Sequence, residues 1–494
     1  VEKKKIKKYK LLISFIFFIY FLLRLTNLNL QPVFCDEGIY IRWAQKIIQS
    51  PKENFFIPLS DGKTPLFMWL DTPFLKTIKN PLIAGKILSV LSGFATLLGA
   101  IYLGMKFFNL KTSIIAGFLF VFTPYILFFD RMALTDSMLA AFSFWSLIMA
   151  IEITNKPSLK KSIFLGIFLG LSILAKTPGI FNFLVLPLVL IKANFKDKEK
   201  LKNTILYLLI SVILGTAIYN SLRISPDFKQ LSSRNEYYHF PIKRLIEVPF
   251  NPLLGNLKEA FDFITKMATW PIFILFIIGL IYIIYKKEKT GLIIFLWGFI
   301  PFLILTSLLK VYTARYILPS VVPLIFIASY SLSKITDKIK NKFVVGSILI
   351  ATFLPSFIFD YHLLNSPHKA NLPAKEKEGY FEGWTAGYGL FEMAEFLKEK
   401  AKDKEILLVT AGAFGTLPDG IAIYLFPNKN ITIWYGNSQI EPYVYEAAKE
   451  KETFFLVHKS NFVPNPNLTL IKEIPKPKWK QPPSDYLLLY KIEE

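Results

Sequence analysis

Apolar runs long enough to cross a lipid bilayer recur along the first three quarters of this 494-residue chain. Inside hydrocarbon every backbone N–H and C=O must be bonded within the segment, so each run implies a spanning helix of about 20 residues. Eleven runs lie near 11–28, 82–105, 112–129, 132–152, 162–176, 177–191, 204–222, 268–285, 290–309, 313–331 and 343–359. Pro178 and Gly179 also allow the pair around 162–191 to be one broken segment. Composition agrees: 53% of residues are hydrophobic and 19% charged, against about 25% charged in soluble proteins. The single cysteine, Cys35, excludes an intrachain disulfide and a cysteine-based metal cluster. The first run follows Lys3, Lys4, Lys5, Lys7 and Lys8, as in a signal peptide. No small-residue cleavage site follows Leu28 and ten more runs do, so it reads as a retained anchor. From about residue 360 the sequence turns to mixed polar composition, and no internal repeat is visible. The expected fold is a polytopic α-helical membrane protein of about 11 transmembrane helices over 1–359, with a C-terminal extracytoplasmic α/β domain over 360–494.

The net charge of +22 would suggest a nucleic-acid partner in a soluble protein. Here the lysines fall between the apolar runs, in alternate connections: Lys106/Lys111, Lys156/Lys160/Lys161, Lys192 to Lys202, Lys286/Lys287/Lys289 and Lys334 to Lys342. Cytoplasmic loops are enriched in Lys and Arg. The surplus therefore reads as topology, with a cytoplasmic amino terminus, an odd number of spans, and a multi-pass chain in the cell membrane.

Charges on the opposite face are few and sit at span ends: Asp36-Glu37, Lys63, Asp130-Arg131, Asp136, Lys176 and Arg315. A charge near the membrane interior costs on the order of 2.5–3.5 kcal/mol on insertion scales, so such groups pair or line a wet cavity. Single lysines can instead snorkel to head groups. A shared site accounts better for the set. Adjacent carboxylates point in different directions in helix or strand, so Asp36 and Glu37 are poor partners across one glycosidic bond. One carboxylate as general base, facing cations that hold an anion, suits a lipid-phosphate donor whose phosphate is the leaving group. The stretch Tyr40 to Ile48 is amphipathic and reads as a helix lying on the membrane surface.

In chain order, Asp36-Glu37, Gly62-Lys63-Thr64-Pro65, Arg131-Met132-Ala133-Leu134-Thr135-Asp136, Leu174-Ala175-Lys176-Thr177-Pro178 and Ala314-Arg315-Tyr316-Ile317-Leu318-Pro319 form a series. It resembles the protein O-mannosyltransferase and aminoarabinose-transferase group of the C-type superfamily of membrane glycosyltransferases. The resemblance runs from residue 1 to about 330. It implies inverting transfer of a mannose-like sugar from a polyprenyl-phosphate donor to a protein, lipid or glycan hydroxyl on the outer face. By that resemblance Asp36 is the catalytic acidic residue with Glu37 beside it, and Asp136 matches a further acidic position. Lys63, Arg131, Lys176 and Arg315 match residues that hold the donor phosphate or shape its pocket. Thr64 stands where the group often has a second proline, which bears on the local backbone more than on the chemistry.

The outer loops 29–81 and 223–267 should shape the site. The second contains Arg234, Tyr237 and His239, candidate contacts to sugar or acceptor. An interfacial aromatic belt is the more economical account of these residues. His362, His368 and His458 have no ligand spacing between them, and His458 reads as a core or edge residue. No metal site emerges, which leaves a divalent cation near Asp36 open. In the C-terminal part, helical stretches at 391–401, 417–426 and 441–451 alternate with strands at 405–410, 431–435 and 453–457, before a last strand at 486–490. That order predicts a small, mostly parallel sheet. Gly383-Trp384-Thr385-Ala386-Gly387-Tyr388-Gly389 resembles the opening of the same domain in prokaryotic members of the group. A lipid-linked-sugar transporter or flippase is the alternative, but transporters place their charges near the midplane between internal repeats.

Overall fold

The computed structural model describes residues 2–493. Along the chain run α1 (Glu2–Leu25), β1 (Val33–Phe34), α2 (Cys35–Gln49), α3 (Leu66–Thr77), α4 (Pro81–Phe107), α5 (Leu110–Phe122) and α6 (Pro124–Asp130). Then come α7 (Asp136–Asn155), α8 (Leu159–Ala175), α9 (Lys198–Asn220), α10 (Leu253–Phe263), α11 (Trp270–Tyr285), α12 (Lys289–Leu308), α13 (Leu318–Lys338) and α14 (Lys342–Asn365). The remainder alternates: β2 (Ala386–Gly387), α15 (Leu390–Lys400), β3 (Ile406–Ala411), α16 (Asp419–Leu425), β4 (Ile431–Gly436) and α17 (Pro442–Glu450). It closes with β5 (Glu452–His458), β6 (Leu468–Lys476) and β7 (Asp485–Ile492).

Among the described residues eight helices are long and apolar enough to cross a membrane, or nine if the bent pair α5–α6 is one span. The chain is thus a multi-pass membrane protein, with fewer full-length spans than the eleven runs suggested. The run at 162–176 is the 17-residue α8. The run at 177–191 breaks at Thr177-Pro178-Gly179 into short helical pieces ending at Lys192. Apolar length alone does not distinguish a spanning helix from such a broken segment.

Contacts divide the chain into two compact units whose limits differ from 1–359 and 360–494. One comprises Val1–Asn27, Phe56–Phe67 and Ile87–Pro373, the other Leu28–Phe55, Met68–Lys86 and Ala374–Glu494.

In the first unit helices pack closely through small residues. Gly166 and Gly170 on α8 face α9, where a Cβ on either would come within 2.8 Å of Leu214 or 2.6 Å of Ile218. This is the small-xxx-small packing of helices in lipid. The α5–α6 bend of 59° has a defined chemistry. Pro124 has no N–H to give the Phe120 carbonyl four residues back. Arg24, fully buried, supplies the missing donors to Phe120 O at 3.0 Å and Val121 O at 2.6 Å, and pairs with Asp130 at 3.3 Å.

The second unit holds a five-stranded sheet in the order β4-β3-β5-β7-β6. β3 runs parallel to β4 and β5, while β7 is antiparallel to β5 and β6, so the sheet is mixed. Every residue of β3 is buried, as its unbroken Ile-Leu-Leu-Val-Thr-Ala run requires of a central parallel strand. The sequence reading missed β6, an edge strand with a register shift at Leu470/Lys472 and Pro475 inside it. Residues 28–55 are part of this unit's fold. β1 pairs antiparallel with β2, and α2 packs on α16, where a Cβ on Gly38 would stand 3.0 Å from Gly420 Cα. The Tyr40–Ile48 stretch is helical as expected, yet it is no surface helix. Tyr40, Ile41, Ala44 and Ile47 are buried, and Gln45 donates to Ile423 O at 2.9 Å.

Asp71, in α3, is fully buried, among the described residues neither of its carboxylate oxygens has a hydrogen-bond partner, and burial pushes its pKa up to about 8. A carboxyl whose folded pKa is raised adds stability that is complete below about pH 4 and is lost as pH rises through about 8. The Tm of the purified protein in detergent is expected to fall between pH 5 and pH 9, and Asp71→Asn to remove most of that fall. An equal slope in the variant would contradict the assignment.

Candidate active site

In the first unit Lys176 ends α8 in extended conformation, turned by the Pro178 3-10 segment that follows. Its Nζ lies 2.5 Å from Asp136 Oδ1, in the first turn of α7. The same ammonium stands 4.5 Å from the centre of the Tyr316 ring, with the Arg315 guanidinium 5.2 Å from that centre. The Tyr125 hydroxyl anchors this turn by donating to Ala314 O at 2.6 Å. Asp136, Lys176 and Arg315, separate in sequence, therefore gather around Tyr316. Lysine and arginine side chains gathered in this way are the groups that grip a phosphate.

Beside it is a small pocket lined by Tyr316, Ser320, Asn182, Ser143 and Trp297. Asn182 ties the pocket together, donating to Ser143 Oγ at 3.0 Å and Ser172 Oγ at 3.1 Å and accepting from Trp297 Nε1 at 3.2 Å. Ser320 is shared with an apolar cavity of about 460 Å³ between α10, α11, α12 and α13, walled by Phe261, Phe273, Phe276, Phe299 and Phe302.

Lys63 and Arg234 meet through a residue the sequence reading overlooked. Asp61 lies 3.6 Å from Lys63 Nζ and 3.1 Å from Arg234 Nη2. Gly62 makes this possible: its φ is +65°, and a Cβ there would stand 2.3 Å from Arg234 Cβ. Tyr237 is 74% exposed, with the Arg234 guanidinium 5.4 Å from its ring centre. His239 bridges to Leu309 in an isolated backbone pair.

Arg131 has a different role from the phosphate binding expected of it. It is fully buried and donates to the carbonyls of Leu23, Arg24, Thr26 and Asn27 at 2.6–3.0 Å. The last carbonyls of a helix have no partner within it, and Arg131 fills that need for α1. Both terminal nitrogens of its guanidinium donate to backbone carbonyls.

In the second unit Asp36 and Glu37 occupy the first turn of α2. Glu37 is fully buried and accepts the Phe34 N–H at 2.8 Å, closing the helix start. That geometry gives Glu37, one of the expected catalytic carboxylates, a capping role at the start of α2. Asp36 is half-buried. The strand pair β1–β2 and the Cys35 N–H, which donates to Thr385 O at 3.0 Å, fix the backbone just before it. Gly415 (φ +93°) fits against the Cys35 thiol, leaving no room for a Cβ. Lys86, buried and absent from the expected set, donates to Leu28 O and Gln31 O at 3.0 Å. Its one signal was a charge inside an apolar run.

His458 is buried at the end of β5, with Lys476 Nζ 3.4 Å from Nδ1 and Asp485 at 4.0 Å. Burial pushes the imidazole down to about 3 and the lysine down to about 8, as befits a core residue. Among the described residues no group of three His, Cys, Asp or Glu side chains is placed to hold a metal ion.

Residues 62–220 match the family described as dolichyl-phosphate-mannose-protein mannosyltransferase. No curated protein sequence matches the chain. Its fold is similar to ArnT from Cupriavidus metallidurans in the apo state, with a TM-score of 0.62 at 12% identity over 99% of this chain and 98% of that one. The same protein bound to undecaprenyl phosphate gives 0.60 at 14% identity, over 97% of each chain. The archaeal oligosaccharyltransferase AglB from Archaeoglobus fulgidus, in complex with an inhibitory peptide and a dolichol-phosphate, gives 0.54 at 12% identity, over 92% of this chain and 69% of that one. The chain thus shares the fold of ArnT and AglB. The family-matched stretch contains Lys63, Arg131, Asp136 and Lys176, with Asp36 before it and Arg315 after it.

Proposed function

We propose that the protein transfers a mannose-like sugar, with inversion, from a polyprenyl-phosphate donor to an acceptor hydroxyl on the extracytoplasmic face. The observation that carries this reading is the Asp136–Lys176–Arg315 cluster around Tyr316, with an apolar cavity opening beyond Ser320. A charged phosphate and a long hydrocarbon tail need such a pairing of sites. Undecaprenyl phosphate bound to the ArnT neighbour and dolichol-phosphate bound to AglB support the same class of donor.

Lys176 and Arg315 hold the donor phosphate and stabilise the charge that grows on it as the bond from the anomeric carbon to the phosphate oxygen breaks. Asp136 keeps Lys176 oriented. A carboxylate base, the role that the sequence resemblance gives Asp36, takes the proton of the acceptor hydroxyl as the acceptor oxygen bonds to the anomeric carbon, and the lipid phosphate leaves with the bonding pair. Arg131 and Glu37, occupied by backbone, take no part. The alternation of basic loops supports an outward-facing reaction.

The test is to incubate the purified protein with polyprenyl-phosphate mannose and a mixture of protein, lipid and glycan acceptors, and to weigh the products. An acceptor heavier by one hexose, with release of polyprenyl phosphate, is expected. Donor consumed with no acceptor modified, or moved across a vesicle membrane intact, would reject transfer.

A further inference from the structure

The second unit contains a cavity of about 630 Å³ that shares no residue with the Asp136–Lys176–Arg315 cluster. Its walls include Lys76, Lys79 and Lys398 together with Phe391, Tyr424 and Phe426. Lys398 already pairs with Glu395, which also lines the space, at 2.7 Å. Lys76 and Lys79 are exposed, and among the described residues neither has an ion pair. The Arg42 guanidinium lies 6.0 Å from the centre of the Phe426 ring and adds positive charge at one wall. The cavity therefore presents two uncommitted cations and an aromatic wall in a volume that fits a small polar ligand.

Chain position says where such a ligand comes from. Lys76 ends α3 and Lys79 follows it, just before Pro81 opens the 27-residue α4. At about 1.5 Å per residue that helix is roughly 40 Å long, against a hydrocarbon core of about 30 Å. A helix of that length extends past the hydrocarbon core into the head-group region. Lysines at that depth meet lipid phosphates, while aromatic rings tolerate the glycerol and upper acyl carbons.

We propose that this cavity binds the phosphate-bearing head group of an anionic membrane lipid. Lys76 and Lys79 are the phosphate contacts, and the aromatic wall takes the apolar part of the head-group region. The site is independent of the transfer chemistry, so its failure would leave the proposed function untouched.

Native mass spectrometry of the full-length protein in detergent tests this with phosphatidylglycerol, phosphatidylcholine and glycerol 3-phosphate as probes. Phosphatidylglycerol is expected to stay bound and phosphatidylcholine to be lost. The double substitution Lys76→Ala/Lys79→Ala should weaken phosphatidylglycerol binding by about tenfold or more, since each lysine contributes on the order of a few-fold near a charged lipid. Lys76→Arg/Lys79→Arg should keep it. Because both side chains are exposed, these variants leave the fold intact. Equal retention of the two lipids, or unchanged binding in the alanine variant, would overturn the proposal. Glycerol 3-phosphate bound as tightly as the lipid would overturn the lipid assignment in favour of a soluble phosphate.

Discussion

Asp36→Asn is expected to lower the turnover number for sugar transfer by about 10²–10⁴-fold, the usual contribution of a positioned general base, while donor affinity stays within about twofold. Asparagine keeps the shape and the helix-start position of the side chain but cannot accept the acceptor's proton. Asp36 lies in the first turn of α2. Glu37→Gln is the internal control. Glu37 closes the same turn by accepting the Phe34 N–H, and glutamine retains an acceptor oxygen, so a loss on the order of 1 kcal/mol of stability is expected with transfer largely preserved. Equal loss of transfer in the two variants at equal folded protein, or normal turnover with Asn at 36, would end the case for Asp36 as base.

Arg315→Ala should raise the dissociation constant for polyprenyl phosphate by about 10–100-fold, as a hydrogen bond to a charged group contributes roughly 1.5–3 kcal/mol. Lys176 has a further duty as the partner of Asp136. Removing Lys176 strands Asp136, which is 2% exposed, and breaking a buried pair on one side costs about 3–5 kcal/mol. Lys176→Ala is therefore expected to lower the yield of folded protein as well as donor binding, and Lys176→Ala/Asp136→Asn to recover the yield without the binding. Titration with a fluorescent polyprenyl phosphate reads both effects. An unchanged constant in Arg315→Ala would remove the arginine from the donor site.

The Asp136–Lys176 pair was legible in sequence for a physical reason. Charges at the ends of apolar runs are costly unless they meet a partner, and these two sit 40 positions apart at the ends of different helices. The α/β alternation of the C-terminal region was equally plain, since β3 and β5 are compact apolar runs bounded by helical stretches. Two features were hidden because they depend on backbone geometry that no residue pattern encodes. Arg131 is drawn to the unpaired carbonyls at the end of α1. Glu37 is drawn to the start of α2. The break after Lys176 was legible as an alternative, because Pro178 and Gly179 interrupt a run with the apolar length of a span. β6 escaped notice because an exposed edge strand with a proline lacks a regular alternation.

The grouping of residues 28–55 with the C-terminal sheet has a consequence for biosynthesis. Gln45 bonds to Ile423, 378 positions later. At ribosomal speeds of about 5–20 residues per second, the segment carrying Asp36 waits on the order of 20–75 s for the strand and helix that complete it. During that interval the nascent chain has its membrane helices while residues 28–55 lack the partners that complete their fold. A chain that stops short of residue 386 leaves β1 without β2.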